Sequence, residues 1–413
     1  MKTSGEWKST PLGSVLERVA LPVRVEPSRE YRQIGIRSHG KGIFHKLPVT
    51  GESLGEKRVF WVVPDALVLN IVFAWEQAVA VTSTVETGMI ASHRFPMYRP
   101  VGDSCNVNFL LQCFRTPKGK ELLELASPGG AGRNKTLGQR EFERLKLSMP
   151  CGSEQTRIAT AMTIWDQSIH TLNLLLANSR KQKQALIEHL VSGRRRLNGE
   201  TTNWSSIALK QVASIFASSV DKKHEDGELP VRLCNYTDVY HNDYIMPQMP
   251  FMAATATESE IAKYSVHRGD VLITKDSETA NDIAVSACVV DEIPNLVCGY
   301  HLAILRPDRS RVVPEFLHCF FGLRRTRAYF ASHANGVTRF GLPIHAVEDV
   351  MLTLPSVAEQ NRIVQVISAN TQEIARLAHY LKALKTEKKA LMQQLLTGKR
   401  RLREPQFAVK AAP

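Results

Sequence analysis

Four features of the chain could hold a cofactor, a nucleotide or a metal ion, and each lacks a neighbour that the chemistry requires. Gly129-Gly130-Ala131-Gly132 is glycine-rich enough to approach a phosphate, but no helical pattern with a nearby acidic ribose ligand follows it, and no (N/D)-P-P-(Y/F) turn exists to seat a target base. Gly398-Lys399 has the end of a phosphate-binding loop without its beginning, since no G-x-x-x-x-G-K-(S/T) exists and Arg400 follows. Asp276-Ser277-Glu278 has nuclease-like carboxylates but no lysine at the usual spacing after them, and reads as a polar loop behind a strand at 271–274. The thirteen histidines include no H-x-x-x-H beside a carboxylate, so His39, His45, His241 and His301 are expected to hydrogen-bond in loops rather than ligate metal. No cofactor, metal or catalytic residue is expected. The chain reads as a binder.

Charge suggests the partner. A formal net charge of +13 and a pI near 9.4 make a polyanion the first candidate. Residues 151–198 hold seven Arg/Lys against three Asp/Glu, and residues 356–404 hold ten against four, so these two segments carry +4 and +6 of it. Seven scattered cysteines without a C-x-x-C pair are expected to be reduced thiols, most of them in the core. The first fifteen residues lack the apolar run of a signal peptide, and 62–75 is too short and too polar for a membrane span. A folded cytoplasmic protein without membrane contact is expected.

The basic segments are two copies of one element. Pro150 to Leu197 aligns without a gap on Pro355 to Leu402, an offset of 205 residues, with 17 identities in 48 positions. P-C-G-S-E-Q-T-R-I faces P-S-V-A-E-Q-N-R-I, and S-G-R-R-R-L faces T-G-K-R-R-L. Between them, apolar residues recur at alternating spacings of four and three, beginning at Ile158 and Ile363, for nearly five heptads. That is a coiled-coil seam. Gly193 and Gly398 are placed to end the helices, with arginines and lysines at their negative ends. The intervening segments repeat faintly: Pro64-Asp65-Ala66-Leu67-Val68 faces Gly269-Asp270-Val271-Leu272-Ile273, and Phe109-Leu110 faces Phe316-Leu317. Strands are expected at 59–63 and 285–290, and helix at 314–331.

The expected fold class is therefore α/β. Two mixed α/β globules, 1–150 and 204–355, would be separated by two long antiparallel coiled-coil helices, 151–198 and 356–404, in a pseudo-two-fold repeat. Residues 199–203 would be the linker and 405–413 a tail.

Helix motifs of this kind, present twice about 200 residues apart, resemble those of the specificity subunits of type I restriction-modification enzymes, as do G-D-V-L-I at 269–273 and N-G-V-T-R-F-G-L at 335–342. The resemblance spans essentially the whole chain. It implies two target-recognition domains, each reading half of a split site on double-stranded DNA. It also implies partners: two DNA adenine methyltransferase subunits, which extrude their target base, and two ATP-dependent translocating restriction subunits. Catalysis would belong to those partners. The alternatives are a stand-alone bipartite DNA-binding regulator and a protein scaffold.

Phosphate contacts supply affinity, whereas specificity needs side chains at base edges. In the first globule Arg37, His39, Lys41, His45 and Lys46 are favoured, since Gly35, Gly40 and Gly42 would let their loop approach a duplex closely. In the second, Asn235, Tyr236, Thr237, Tyr240, His241 and Asn242 offer groups that read bases. Arg133, Lys135 and Arg339 are candidates for phosphates. On the helices, Ile164, Leu174, Leu175 and Tyr380 are candidates for docking partner helices.

Overall fold

The computed structural model describes residues 6–129, 135–197, 199, 203–221 and 224–402. Arg133, most of the linker and the 405–413 tail lie outside the described residues. Two compact units divide the chain, residues 1–172 with 380–413, and residues 173–379. Both are mixed α/β, and each holds one globule together with a stretch of each long helix.

In the first unit, strands β1 (Lys8–Pro11) and β2 (Leu16–Val19) precede a hairpin of β3 (Ile34–Ile36) and β4 (Ile43–His45). Strands β5 (Leu67–Leu69), β6 (Val79–Val81) and β7 (Met97–Pro100) form an antiparallel sheet with β2 in the order β6-β5-β7-β2. Alternation along β5 serves two cores at once. Leu67 and Leu69 face a cluster with Phe109, Phe114 and Phe142, while Val68 faces Ile34, Ile36 and Val62. The first cluster is built by helices α1 (Val107–Phe114) and α2 (Pro117–Leu125). Asn106 starts α1 by accepting from the N–H groups of Asn108 and Phe109, and Pro117 starts α2 at a position whose N–H needs no partner. Strand β8 (Lys146–Met149) pairs antiparallel with β1 and leads into α3 (Gly152–Leu186), which passes through a π-helical turn at Ile187–Val191.

The second unit has the same kinds of element. Strands β9 (Ser205–Ala208) and β10 (Ala213–Ala217) are followed by a short helix α4 (Tyr236–Tyr240) and β11 (Tyr244–Ile245). Next come β12 (Val271–Thr274), β13 (Asp276–Ser277), β14 (Ser286–Val289) and β15 (Leu302–Pro307). A five-stranded sheet runs β10-β15-β12-β14-β11, antiparallel except for the last pair. Val271 and Ile273 face one core and Leu272 the other. Helices α5 (Pro314–Phe321) and α6 (Arg324–His333) divide the span expected as one helix, and Gly322 lies between them. Strand β16 (Phe340–Gly341) pairs with β13, and β17 (Met351–Leu354) pairs antiparallel with β9 before α7 (Val357–Leu395).

Gly193 and Gly398 end the helices with φ of +73° and +71°, and a Cβ at either would stand about 3.2 Å from the ring of Trp204 or Trp7. Six of the seven cysteines are buried, and Cys151 is exposed. Among the described residues no helix is long and apolar enough to cross a membrane.

Candidate nucleic-acid interface

The repeated motif residues fasten each globule to helix ends. In the second unit, Glu359 at the start of α7 is fully buried and takes a bidentate pair from Arg196, at 2.6 and 2.7 Å, plus the indole N–H of Trp204 at 3.2 Å. Its neighbour Gln360 accepts from the N–H of Val313 ahead of α5 and donates to the carbonyls of Arg311 and Pro355. In the first unit, Glu154 is bound by Arg401 in the same two-pronged way, and Gln155 accepts from the N–H of Asn106 ahead of α1 and donates to the Pro150 carbonyl. Glu154 and Glu359 are separated by the repeat offset, as are Arg196 and Arg401. So the E-Q pair and the closing R-R-L are the two halves of one clasp, made in each unit.

Beside this frame, the second unit gathers several of the residues expected to read DNA. Tyr236 and Tyr240, one turn apart on α4, stack with centroids 5.3 Å apart, and His241 meets the edge of Tyr240. Thr237, His241 and Asn242 are exposed. Burial pushes the Tyr236 phenol above its ordinary value, so it stays a neutral hydroxyl hydrogen-bonded to Ser277. Ser277 pairs across β13 and β16 with Phe340, next to Arg339. Arg339 is exposed and reaches the ring of His301, 3.1 Å away, which in turn holds Asp276 and lies 3.6 Å from the ring of Tyr300. In the turn closed by the antiparallel bridge between Asn335 and Gly341, Val337 is 91% exposed. Asn235 is committed to structure instead, since its backbone N–H donates a hydrogen bond to the Asp238 carboxylate at the start of α4.

The role of His301, Asp276 and Ser277 is invisible in the sequence, where no spacing links them to Tyr236 or Arg339. Val337 is visible there only as part of a glycine-flanked turn.

In the first unit Arg37, His39, Lys41, His45 and Lys46 are all exposed, but their segment is the β3–β4 hairpin rather than an open loop. Two of the three glycines expected to let a duplex approach are occupied by the protein itself. A Cβ on Gly35 would stand 2.3 Å from the Phe44 ring, and one on Gly40 would stand 2.9 Å from Arg115; only Gly42 faces open space. Arg37 lies over Phe44 at 4.8 Å and donates to the Ile43 carbonyl. His45 is tied to Glu86 at 2.8 Å. Burial draws the Glu86 carboxyl upward, but hydrogen bonds from Ser83 and His45 outweigh it and hold the group below its ordinary value. His39, with φ of +61°, and Ser38 both bond to Glu76, and Lys135 lies over the adjacent Trp75. Lys135 and the hairpin therefore meet on one turn.

On the helices, Ile164, Leu174, Leu175 and Tyr380 are all about half exposed. Among the described residues no group of histidines, cysteines and carboxylates is arranged to hold a metal ion.

No family model matches the chain. It is 22% identical, over 325 residues, to a protein of Methanocaldococcus jannaschii named for the specificity subunit of type I restriction enzyme MjaX, covering 74% of this chain and 71% of that one. Its fold is similar to that of the HsdS subunit from Thermoanaerobacter tengcongensis, with a TM-score of 0.51 and 17% identity over 97% of this chain and 99% of the other. It is also similar to the S subunit of the type I restriction-modification system from M. genitalium, with a TM-score of 0.58 and 12% identity over 96% and 97%. A chain solved in work on complex assembly and conformational transition of the type I R-M system gives 0.56, with 17% identity over 96% and 99%. The resemblance read from the repeated helix motif therefore holds both in a sequence relative and in the fold.

Proposed function

We propose that this chain is the DNA sequence-specificity subunit of a type I restriction-modification system. It binds a split, asymmetric site on double-stranded DNA and holds two methylation and two restriction subunits over it, while the chemistry is theirs. Residues 1–150 and 204–355 are its target-recognition domains. Residues 151–198 and 356–404 are its antiparallel coiled-coil helices, the ruler of a pseudo-two-fold repeat.

The observation that carries this reading is the paired clasp. The same motif residues make the same contacts in each unit, Arg196 to Glu359 and Arg401 to Glu154, whereas the exposed faces beside them differ in sequence and build. A constant frame with two different faces suits a reader of two different half-sites. The Tyr236–Tyr240 face with Arg339 and the β3–β4 hairpin with Lys135 are the reading surfaces. Arg133 is assigned to phosphate contact with them, and the apolar positions Ile164, Leu174, Leu175 and Tyr380 dock the methylation subunits.

Co-expression with the adjacent genes, followed by mapping of adenine methylation across a genome, tests this directly. Methylation confined to one split motif, and lost without this chain, is the expected result. A chain that captures no methyltransferase and changes no methylation overturns the reading.

A further inference from the structure

A half-open cavity of about 630 Å³ lies in the second unit, where the π turn after α3 meets the start of α6. Four cations line it, Lys181, Arg194, Arg324 and Arg325, and none makes an ion pair with a carboxylate among the described residues. Its single acid is Glu188, and that carboxylate is already engaged, taking the N–H of Arg324 at 2.7 Å and the Gln184 amide at 3.3 Å. Four positive charges against one negative leave the concavity net positive, which attracts an anion.

The charge continues beyond the cavity. A second hollow shares Gln184 with the first and carries Arg180 and Arg327. Arg327 donates to the carbonyl of Asn281, four residues past the Ser277 that holds Tyr236. A basic track thus runs from the cavity as far as Arg327, which pairs at 4.0 Å with Asp282 on the side of Tyr236, while Lys183 in the same hollow is paired with Asp243. A track favours a ligand with regularly spaced negative charge over a single carboxylate or a small anion. At the aligned positions of the first unit, Lys118 stands for Arg325 and Lys399 for Arg194, whereas Pro117 and Thr386 stand for Arg324 and Lys181, so the charge is kept at two of the four positions. That pattern fits attraction to phosphates, which lysine and arginine both supply.

We infer that this cavity is a phosphate-binding site for the backbone of duplex DNA beyond the bases read by the Tyr236–Tyr240 face. The inference rests on the proposed function and adds a contact that strengthens binding without reading sequence.

The test uses the full chain and a mixed-sequence duplex of about 40 base pairs, roughly four helical turns. Affinity is measured across a salt series for the wild type, R324Q/R325Q and R324K/R325K, with circular dichroism melts to establish that each is folded. Each lost phosphate contact lowers the slope of log affinity against log salt by about 0.9, so the glutamine variant should lose about 1 to 2 from that slope and the lysine variant little. The split motif methylated in cells should stay the same. An unchanged slope in R324Q/R325Q overturns the inference while leaving the proposed function standing. So does an unchanged slope accompanied by loss of the methylation subunit, which would make the cavity a seat for an acidic protein segment. A wild-type chain that binds no duplex at any salt, alone or with its methylation subunit, overturns both.

Discussion

The two units agree at their frames and part company inside their globules. Each has a buried glutamate gripped by an arginine, a glutamine buttressing the helix beyond it, and a tryptophan against the capping glycine with its edge toward a phenylalanine, Trp7 with Phe109 and Trp204 with Phe316. One layer inward the match fails. In the second unit Asp270 is buried and takes a bidentate pair from Arg306, whereas in the first the aligned Asp65 is exposed and Arg99 reaches only the Pro64 carbonyl. The positive φ also shifts by one position, from Gly269 in one unit to Asp65 in the other. Contacts that join helix to globule are held constant, and contacts that shape a globule are free to change.

If the clasps are equivalent, breaking either should cost the same. Glu359→Ala and Glu154→Ala each strand an arginine that is 29% exposed against a pocket built for a carboxylate, and each should destabilise its own unit by about 3 kcal/mol or more. Hydrogen exchange resolved by peptide reads the loss unit by unit. Strong loss from one variant and none from the other would break the equivalence. At the divergent layer the expectation reverses: Asp270→Asn should cost about 2–3 kcal/mol, since a buried charged pair loses one partner, and Asp65→Asn no more than about 0.5 kcal/mol, as for an exposed position. Equal thermal shifts in the two variants would remove that distinction.

Acid should separate the units as well. His318 is buried beside Ser286 and Asp243, and that burial pushes its imidazole down to about 4. The unfolded chain, titrating near 6.5, takes up the proton first, so stability falls as pH drops from about 6.5 towards 4. Asp243 adds to this further down. Burial raises its carboxyl, but Lys183 and His318 hold it below its ordinary 3.8, so its contribution is lost as pH falls through that lower value. In the first unit Glu86 is likewise held below 4.5, and nothing is lost there until pH falls beneath that. His318→Gln should therefore flatten the fall in melting temperature between pH 7 and 5, worth about 2 kcal/mol at the lower pH, whereas Glu86→Gln should leave that window unchanged. A wild-type melting temperature that is level from pH 7 to 5 would contradict the burial argument.

The contrast also explains what was legible in the sequence. The clasp could be located because both of its halves repeat at one offset, although the partners Arg196 and Glu359 lie 163 residues apart and only the fold reveals that they touch. The strand at 271–274 is legible as an unbroken apolar run because it separates two apolar cores, as the strand at 67–69 does in the first unit. The reading faces are different. The Tyr236–Tyr240 stack follows from helical spacing, but the chain from Arg339 through His301 to Asp276 joins residues that no local pattern relates. Gly35 and Gly40 mislead for a related reason: glycine signals close approach, and the approaching groups are Phe44 and Arg115 of the same unit.

The smallest expected difference lies between the two tryptophans. Both pack alike, so replacing either with phenylalanine removes the same bulk. Trp204 also gives its N–H to Glu359, whereas the N–H of Trp7 is buried without a partner. Phenylalanine at 204 therefore loses a hydrogen bond to a charged acceptor, and phenylalanine at 7 sheds an unpaired donor. Trp204→Phe should be the more damaging by about 1–2 kcal/mol. Because the shared packing term cancels in the comparison, paired thermal melts report on the hydrogen bond from the indole N–H, and equal losses would mean that this N–H plays no part in holding Glu359.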